Sequence, residues 1–421
     1  MTMFRLGLGF VLLAAAPATA ETVAFTAARM LDVTSGKYVA SPVVVVTDGR
    51  IVSAGAGVAV PAGAKRIDLG ALTLLPGLID MHVHLDSVPR YGGYSGLQFS
   101  DAYFVVAAAA NARTMLDNGF TTVRNVGSTG YSDVGLREAI DDGMVPGPRI
   151  VSAAYALGAT GGHCDETYFP PSFGRQSPAV VNGVEQARLR VREQRKYGAQ
   201  VIKVCATGGV FSRNTEPGQQ QLHEAELAAI VDEAKLWGLR VAAHAHGATG
   251  IKAAIRAGVH TIEHASLIDA EGIALAKARG AYLSMDIYNT DYTQAEGAKN
   301  GVMEDNLRKD REIAQIQRDN FRAAHKAGVR LVFGTDAGVM PHDLAARQFA
   351  TMVQYGMTPI EAIRAATSTA AEALGMSDRG TLATGRWGDM IAVAGDPLAD
   401  VTMLTRVAVV VKSGVVVKDA R

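Results

Sequence analysis

Between Leu74 and Thr335, short apolar runs alternate with amphipathic segments, and this alternation constrains the fold more than any other feature of the chain. Strand and helix in strict succession is the pattern of parallel βα units. Eight strands are read, ending near His84, Asn125, Tyr155, Lys203, His244, His264, Asp286 and Thr335. One intervening segment, Glu224 to Trp237, carries Leu227, Ile230, Val231 and Ala234 on a single stripe and is followed by Gly238, the residue expected just past a helix end. Eight βα units over about 250 residues fit a closed (β/α)8 barrel better than an open sheet.

On either side of that region the pattern changes. From Thr22 to Leu75, β-rich runs such as Val43 to Thr47 and Ile51 to Ser53 are broken by Asp48-Gly49 and Pro61, as in the hairpins of a small sheet domain. After a helix over Pro359 to Leu374, the runs Asp389 to Val393 and Ala408 to Val417 are too short to fold alone and are expected to complete the same domain. The fold class expected is α/β: a (β/α)8 TIM barrel over 76–375, inserted in a small β-sandwich built from both termini, 21–75 and 376–421. Residues 1–20 read as a secretory signal peptide, with Arg5 as its positive start, Leu6 to Ala16 as the apolar run, and Ala18-Thr19-Ala20 as the cleavage site before Glu21. That run is about half the ~20 residues a bilayer span needs, and no later stretch reaches that length. An exported, periplasmic protein without stable membrane insertion is expected.

The 41 basic and 41 acidic residues cancel, which argues against nucleic acid or an anionic membrane surface as the main partner. With 48% hydrophobic residues, 19% charged and only 2 Cys, the chain is globular with a large core, neither disordered nor framed by disulfides. Cys164 and Cys205 are read as buried small residues, in preference to a bridge or to soft neighbours of a metal.

Six of the ten histidines, His82, His84, His163, His244, His246 and His264, lie at or just past strand ends, while His223, His260, His325 and His342 fall elsewhere. The chemistry of such a barrel sits at the C-terminal ends of its strands. His82 and His84, at i and i+2, face one way and can share a metal, although an H-x-H alone is weak evidence. Lys203, in Val201-Ile202-Lys203-Val204-Cys205, shares a face with Cys205. A buried ammonium is costly, so this lysine is either paired with an acid or carboxylated by carbon dioxide to a carbamate that bridges two cations. Beside the strand-end histidines the second reading is preferred. His244 and His264 end the fifth and sixth strands; His246 shares the face of His244, and the residues alone leave the choice between them open. Asp336, closing the eighth strand, is placed either to ligate a metal and take a proton from its water, or to cap a helix.

Together these residues resemble the amidohydrolase superfamily of metal-dependent hydrolases, over nearly the whole chain after the leader. The resemblance implies a barrel within a β-sandwich, an H-x-H after strand 1, a carboxylated Lys after strand 4, His after strands 5 and 6, and Asp after strand 8. The matching positions are His82, His84, Lys203, His244, His264 and Asp336, and the resemblance selects His244 over His246. The segments Gly161-Gly162-His163, Lys203 to Val210 and His244-Ala245-His246-Gly247 are similar to the Xaa-Pro dipeptidase-like, imidazolonepropionase-related branch. That branch includes exported dipeptidases and carboxypeptidases, and ochratoxin-hydrolysing amidohydrolases are similar as well. Deaminases of the superfamily carry H-x-x-E after strand 5; here Gly247 stands in place of that Glu and Lys203 is present, which favours a two-metal amide hydrolase.

The resemblance further implies two divalent cations, zinc above others. His82, His84 and Asp336 would bind the first, His244 and His264 the second, and carboxylated Lys203 would bridge them. Asp336 would move the proton between the attacking water and the leaving nitrogen. His163 is a candidate donor to the carbonyl oxygen or to a substrate carboxylate, Arg213 a candidate anchor for a C-terminal carboxylate, and Tyr288 a candidate pocket wall. Asp286 and Asp291 are candidates for selecting a basic side chain. The expected function is hydrolysis of a peptide or N-acyl-amino-acid amide beside a free C-terminal residue. The alternatives are a cyclic-amide hydrolase of imidazolonepropionase type and a non-catalytic ligand-binding barrel. A homo-oligomer is compatible with all three.

Overall fold

The computed structural model describes residues 21–421; the expected signal peptide, 1–20, lies outside the described residues. Eight parallel strands carry the site: β1 Leu78–Val83, β2 Phe120–Asn125, β3 Arg149–Ser152, β4 Val201–Cys205, β5 Arg240–Gly247, β6 Thr261–Leu267, β7 Tyr282–Ser284 and β8 Leu331–Val332. They form one sheet of three strands and one of five. Backbone bonds join the two sheets at both seams. Between β3 and β4, Gln200 N donates to Ser152 O (2.7 Å) and Leu157 N to Lys203 O (2.9 Å). Between β8 and β1, Met81 N donates to Phe333 O (2.9 Å) and Asp336 N to His82 O (2.9 Å). Every residue of β1, β2 and β4 is buried, as a sheet covered on both faces requires.

The helices behave as their sequences dictate, with one exception. The helix Glu224–Leu236 buries Leu227, Ile230 and Ala234, and Gly238 takes the left-handed conformation (φ 68°) that ends it. The stretch expected as one helix over Pro359 to Leu374 is two, Pro359–Ala365 and Ser368–Leu374. Thr367 breaks it: its backbone leaves the helical region and its Oγ1 donates to Ile363 O at 2.7 Å.

The flanking strands build two further sheets. Thr22–Thr26, Pro42–Thr47, Arg50–Ala56 and Lys65–Asp68 make a sheet of four. Arg29–Asp32, Lys37–Ala40, Thr73–Pro76, Met390–Val393, Val409–Lys412 and Val415–Asp419 make one of six, so the two ends of the chain share a sheet. Ala408 to Val417, read as one run, is a hairpin turned at Ser413-Gly414 (φ 53° and 77°). Alternation along the six-stranded sheet sorts its side chains: Leu74, Met390, Val409 and Val411 face the four-stranded sheet, while Leu75, Ile391 and Val410 join the core of the parallel strands. No helix among the described residues is long and apolar enough to cross a membrane.

Candidate metal centre

The carboxyl ends of the parallel strands bring the histidines together. The rings of His82 and His264 lie 4.9 Å apart, those of His244 and His264 4.6 Å, and those of His163 and His244 4.1 Å, stacked. His82, His84 and Asp336 offer ligand atoms that all lie within 4.8 Å of one another; so do His244, His246 and His264, and so do His264, Asp286 and Asp336. Asp336 Oδ1 stands 3.2 Å from His82 Nε2 and 3.3 Å from His84 Nε2. These groups, with Lys203, line a cavity of about 630 Å³.

Each imidazole has one nitrogen tied down. His82 Nδ1 donates to Glu263 Oε2 (3.1 Å), His84 Nδ1 to Gly127 O (3.1 Å) and His264 Nδ1 to Asp286 Oδ1 (2.9 Å). His244 does the reverse, giving Nε2 to Gly208 O (3.1 Å), and His246 Nδ1 bonds Ser266 Oγ (2.8 Å). One ring nitrogen fixed by an acceptor and the other left for a cation is how metal-binding histidines are oriented. The donor set therefore fits a metal site.

The profile of the amidohydrolase family matches residues 73–417, the span holding all of these residues. The chain belongs to the amidohydrolase family. An ochratoxinase of Aspergillus niger is 35% identical over 348 residues, covering 78% of this chain and 71% of the relative. The crystal structure of a Xaa-Pro dipeptidase with bound methionine superposes with a TM-score of 0.88 at 33% identity, covering 94% of this chain and 100% of that one. An imidazolonepropionase of Deinococcus deserti is 28% identical over 379 residues, covering 83% of this chain and 84% of the relative. This amidohydrolase is a hydrolase acting on amide bonds.

Electrostatics sort the imidazoles of the amidohydrolase site: burial and Lys203 press His82 down, but Asp336 and Glu263 outweigh them and raise it. Burial pushes His163 down to about 3 and holds His244 and His246 well below the usual imidazole range, so these rings are neutral at physiological pH, as ligands must be. Lys203 is 3% exposed; burial lowers it to about 8, although Glu263 and Asp336 pull the other way. Glu263, Asp336 and Asp286 act on it through space, and it is in none of the ion pairs formed among the described residues. Burial raises Glu263 and Asp336, but Arg124 and His82 outweigh it at Glu263, and His82 and His84 outweigh it at Asp336, so both remain carboxylates.

Several expected residues stand elsewhere. Arg213 lies outside the cavity lining; it is exposed and its Nη1 donates to Tyr94 OH at 2.9 Å. Tyr288 is also off the lining, its hydroxyl accepting from Arg347 Nη1 at 3.2 Å. Asp286 does line the cavity, but its Oδ1 is engaged there, accepting from His264 Nδ1 (2.9 Å) and from Gln317 Nε2 (3.0 Å). Asp291 pairs with Arg318 (2.7 Å). No helix starts at Asp336, so the capping alternative falls. His163 does line the cavity, with Nδ1 on Ser212 Oγ (2.9 Å); a Cβ on Gly209 would run into its ring, so only glycine fits there. Cys164 and Cys205 are joined by a disulfide, Cα atoms 5.9 Å apart, which corrects the reading of two free buried thiols.

The sequence reading missed the ion pair behind His82. Arg124, in β2, is 2% exposed and donates from Nη2 to Glu263 Oε1 (2.7 Å), from Nη1 to Thr261 Oγ1 (2.8 Å) and from Nε to Met81 O (2.6 Å). A charged residue inside each of two strands of the parallel set was the signal, since charges are fully buried only when paired.

Proposed function

We propose that this amidohydrolase is a binuclear-metal enzyme that cuts the amide beside the free C-terminal residue of a small peptide or N-acyl amino acid, at the mouth of a closed (β/α)8 barrel. The backbone bonds at both seams support closure. The observation that carries the function is the donor set, two groups of ligands sharing one cavity with a buried lysine. One cation, zinc by preference, would be held by His82, His84 and Asp336, the other by His244 and His264, with Lys203 shared as its carbamate. His246 could replace His244, since it belongs to the same group. Bound there, divalent cations make a water more acidic and polarise the amide carbonyl.

The chain's own residues supply the rest. Lys203, with its proton held weakly, adds as a neutral amine to carbon dioxide, losing a proton as the C–N bond forms. Asp336 takes the proton of the attacking water and delivers it to the leaving nitrogen, without which an amine leaves poorly. His163 keeps one ring nitrogen on Ser212 and turns the other to the cavity, where it can donate to the carbonyl oxygen. Gly247 weighs against deaminase chemistry: its backbone abuts Gly218, leaving no room for the Glu of an H-x-x-E.

The test is a metal assay together with a screen of dipeptides and N-acyl amino acids. About two equivalents of divalent cation per chain and release of a free amino acid are expected. Binding without turnover of any amide would favour a ligand-binding barrel, and turnover of cyclic amides alone would favour the imidazolonepropionase-like alternative.

A further inference from the structure

Beside the metal cavity lies a second one, of about 680 Å³, for which the chemistry above has no use. The two are continuous, since His84, Ser87, Thr129, Phe211 and Val339 line both. Their walls differ. The metal cavity has imidazoles and carboxylates in its wall beside apolar residues such as Val126, Val210 and Ile313. The second is walled by the start of helix α1, Asp101–Asp117, and by the loop between β3 and the helix Val184–Lys196, which contribute Phe104, Val105 and Phe169; Tyr91, Leu97 and Phe211 add to them. Leu97 is 57% exposed and Val105 48%, so large apolar side chains are left uncovered around a concavity. Such a patch marks a binding surface.

The charges decide which half of a substrate enters. Asp86, Asp101 and Glu166 line the second cavity against a single arginine, Arg175. Asp86 is occupied by Thr129 N (3.0 Å) and Ser132 Oγ (2.9 Å), whereas Asp101 and Glu166 are in no ion pair among the described residues. A free carboxylate is disfavoured there and would be better placed over the metal cavity once the proposed cations are bound. We propose that the second cavity is a specificity subsite for the acyl half of the substrate, taking a large apolar group, aromatic by preference, while the carboxylate-bearing half stays over the metals. Aromatic walls favour this through offset and edge-to-face contacts. The assignment rests on the amide-hydrolase reading.

The experiment compares N-(2-naphthoyl)-L-alanine with N-acetyl-L-alanine, and N-acetyl-L-phenylalanine with N-acetyl-L-alanine, on the metal-loaded enzyme and on the variants Ala102→Trp and Val105→Trp. Both positions are exposed on α1 and fill the second cavity from its outer wall. A hydrophobic pocket discriminates a single methylene by ~10-fold or more, so a filled pocket should cost a bicyclic ring at least that. In each variant whose circular dichroism and melting midpoint match the parent, the naphthoyl-to-acetyl ratio of kcat/KM is expected to fall tenfold or more, with the phenylalanine-to-alanine ratio unmoved. An unmoved naphthoyl ratio overturns the subsite. A fall in the phenylalanine ratio instead overturns the assigned orientation. If the parent enzyme cleaves none of the three, the amide-hydrolase reading fails first and the subsite with it.

Discussion

Asp336 sits in the left-handed region of backbone space (φ 55°), with its N–H on His82 O and its carboxylate against the rings of His82 and His84. Asparagine tolerates that conformation nearly as well as aspartate. Asp336→Asn should therefore fold normally and keep most of its metal while losing the proton carrier, with kcat down by ~10²–10⁴. Steady-state kinetics beside a metal count checks this, and near-parental turnover would remove the assignment. Lys203 gives a second expectation. With its ammonium lowered to about 8, the neutral amine is a minority at pH 7 and the main form at pH 9, whereas an ordinary lysine stays charged over that window. Carbamate in the metal-free protein, followed by ¹³C NMR at fixed dissolved carbon dioxide, should rise between those pH values and vanish in Lys203→Ala. At this scale the sequence was legible where one residue faces the cavity from a strand end, as His82 and His84 do. It was not legible on loops. Arg213 and Tyr288 are near the mouth in sequence, yet their side chains turn to Tyr94 and Arg347, which nothing local dictates.

Strand β6 shows what period-two reading can and cannot deliver. Thr261 and Glu263 face inward together, and the next residue should then face outward. Instead His264 and Ala265 adopt left-handed backbone (φ 67° and 48°), and His264 turns to the cavity beside Glu263. The alternation rule could place either residue at the site, not both. Glu263 links three strands, meeting His82 on β1 and Arg124 on β2. Glu263→Gln keeps the shape and removes the charge, leaving Arg124 buried without its carboxylate. The expected cost is ~3–5 kcal/mol of folding stability, as for other broken buried pairs. Affinity for the cation on His82 should weaken ~10–100-fold, because the ring loses the carboxylate that orients it. Urea denaturation of the metal-free protein reads the first quantity and competition with a chromophoric chelator the second. Unchanged affinity with reduced stability would make the pair purely structural. The helix break at Thr367 and the hairpin at Ser413-Gly414 were likewise invisible as apolar runs, since each turns on one residue's backbone.

At the scale of the molecule, the alternation of strand and helix exposed the parallel strands, and the short β-rich runs at both ends exposed their need for partners. What the sequence withheld is that the inner strands of the shared six-stranded sheet are buried on both faces. Val409 and Val411 pack toward the four-stranded sheet, Val410 toward the parallel strands, and all three are at most 1% exposed. Their strand pairs residue by residue with Met390–Val393, which pairs in turn with Thr73–Pro76, directly ahead of β1 and the H-x-H. The C-terminal strands thus hold the segment that presents His82 and His84. Burial of a valine contributes about 1.5–3 kcal/mol, so the three together contribute roughly 5–9 kcal/mol. Net stabilities of domains are about 5–15 kcal/mol. A chain ending at Ala408 should therefore lose most or all of its cooperative unfolding transition, and metal binding at His82 and His84 with it, although every proposed ligand is still present. Urea melts and metal stoichiometry of the shortened chain test this; a normal midpoint would mean that the parallel strands stand without the shared sheet.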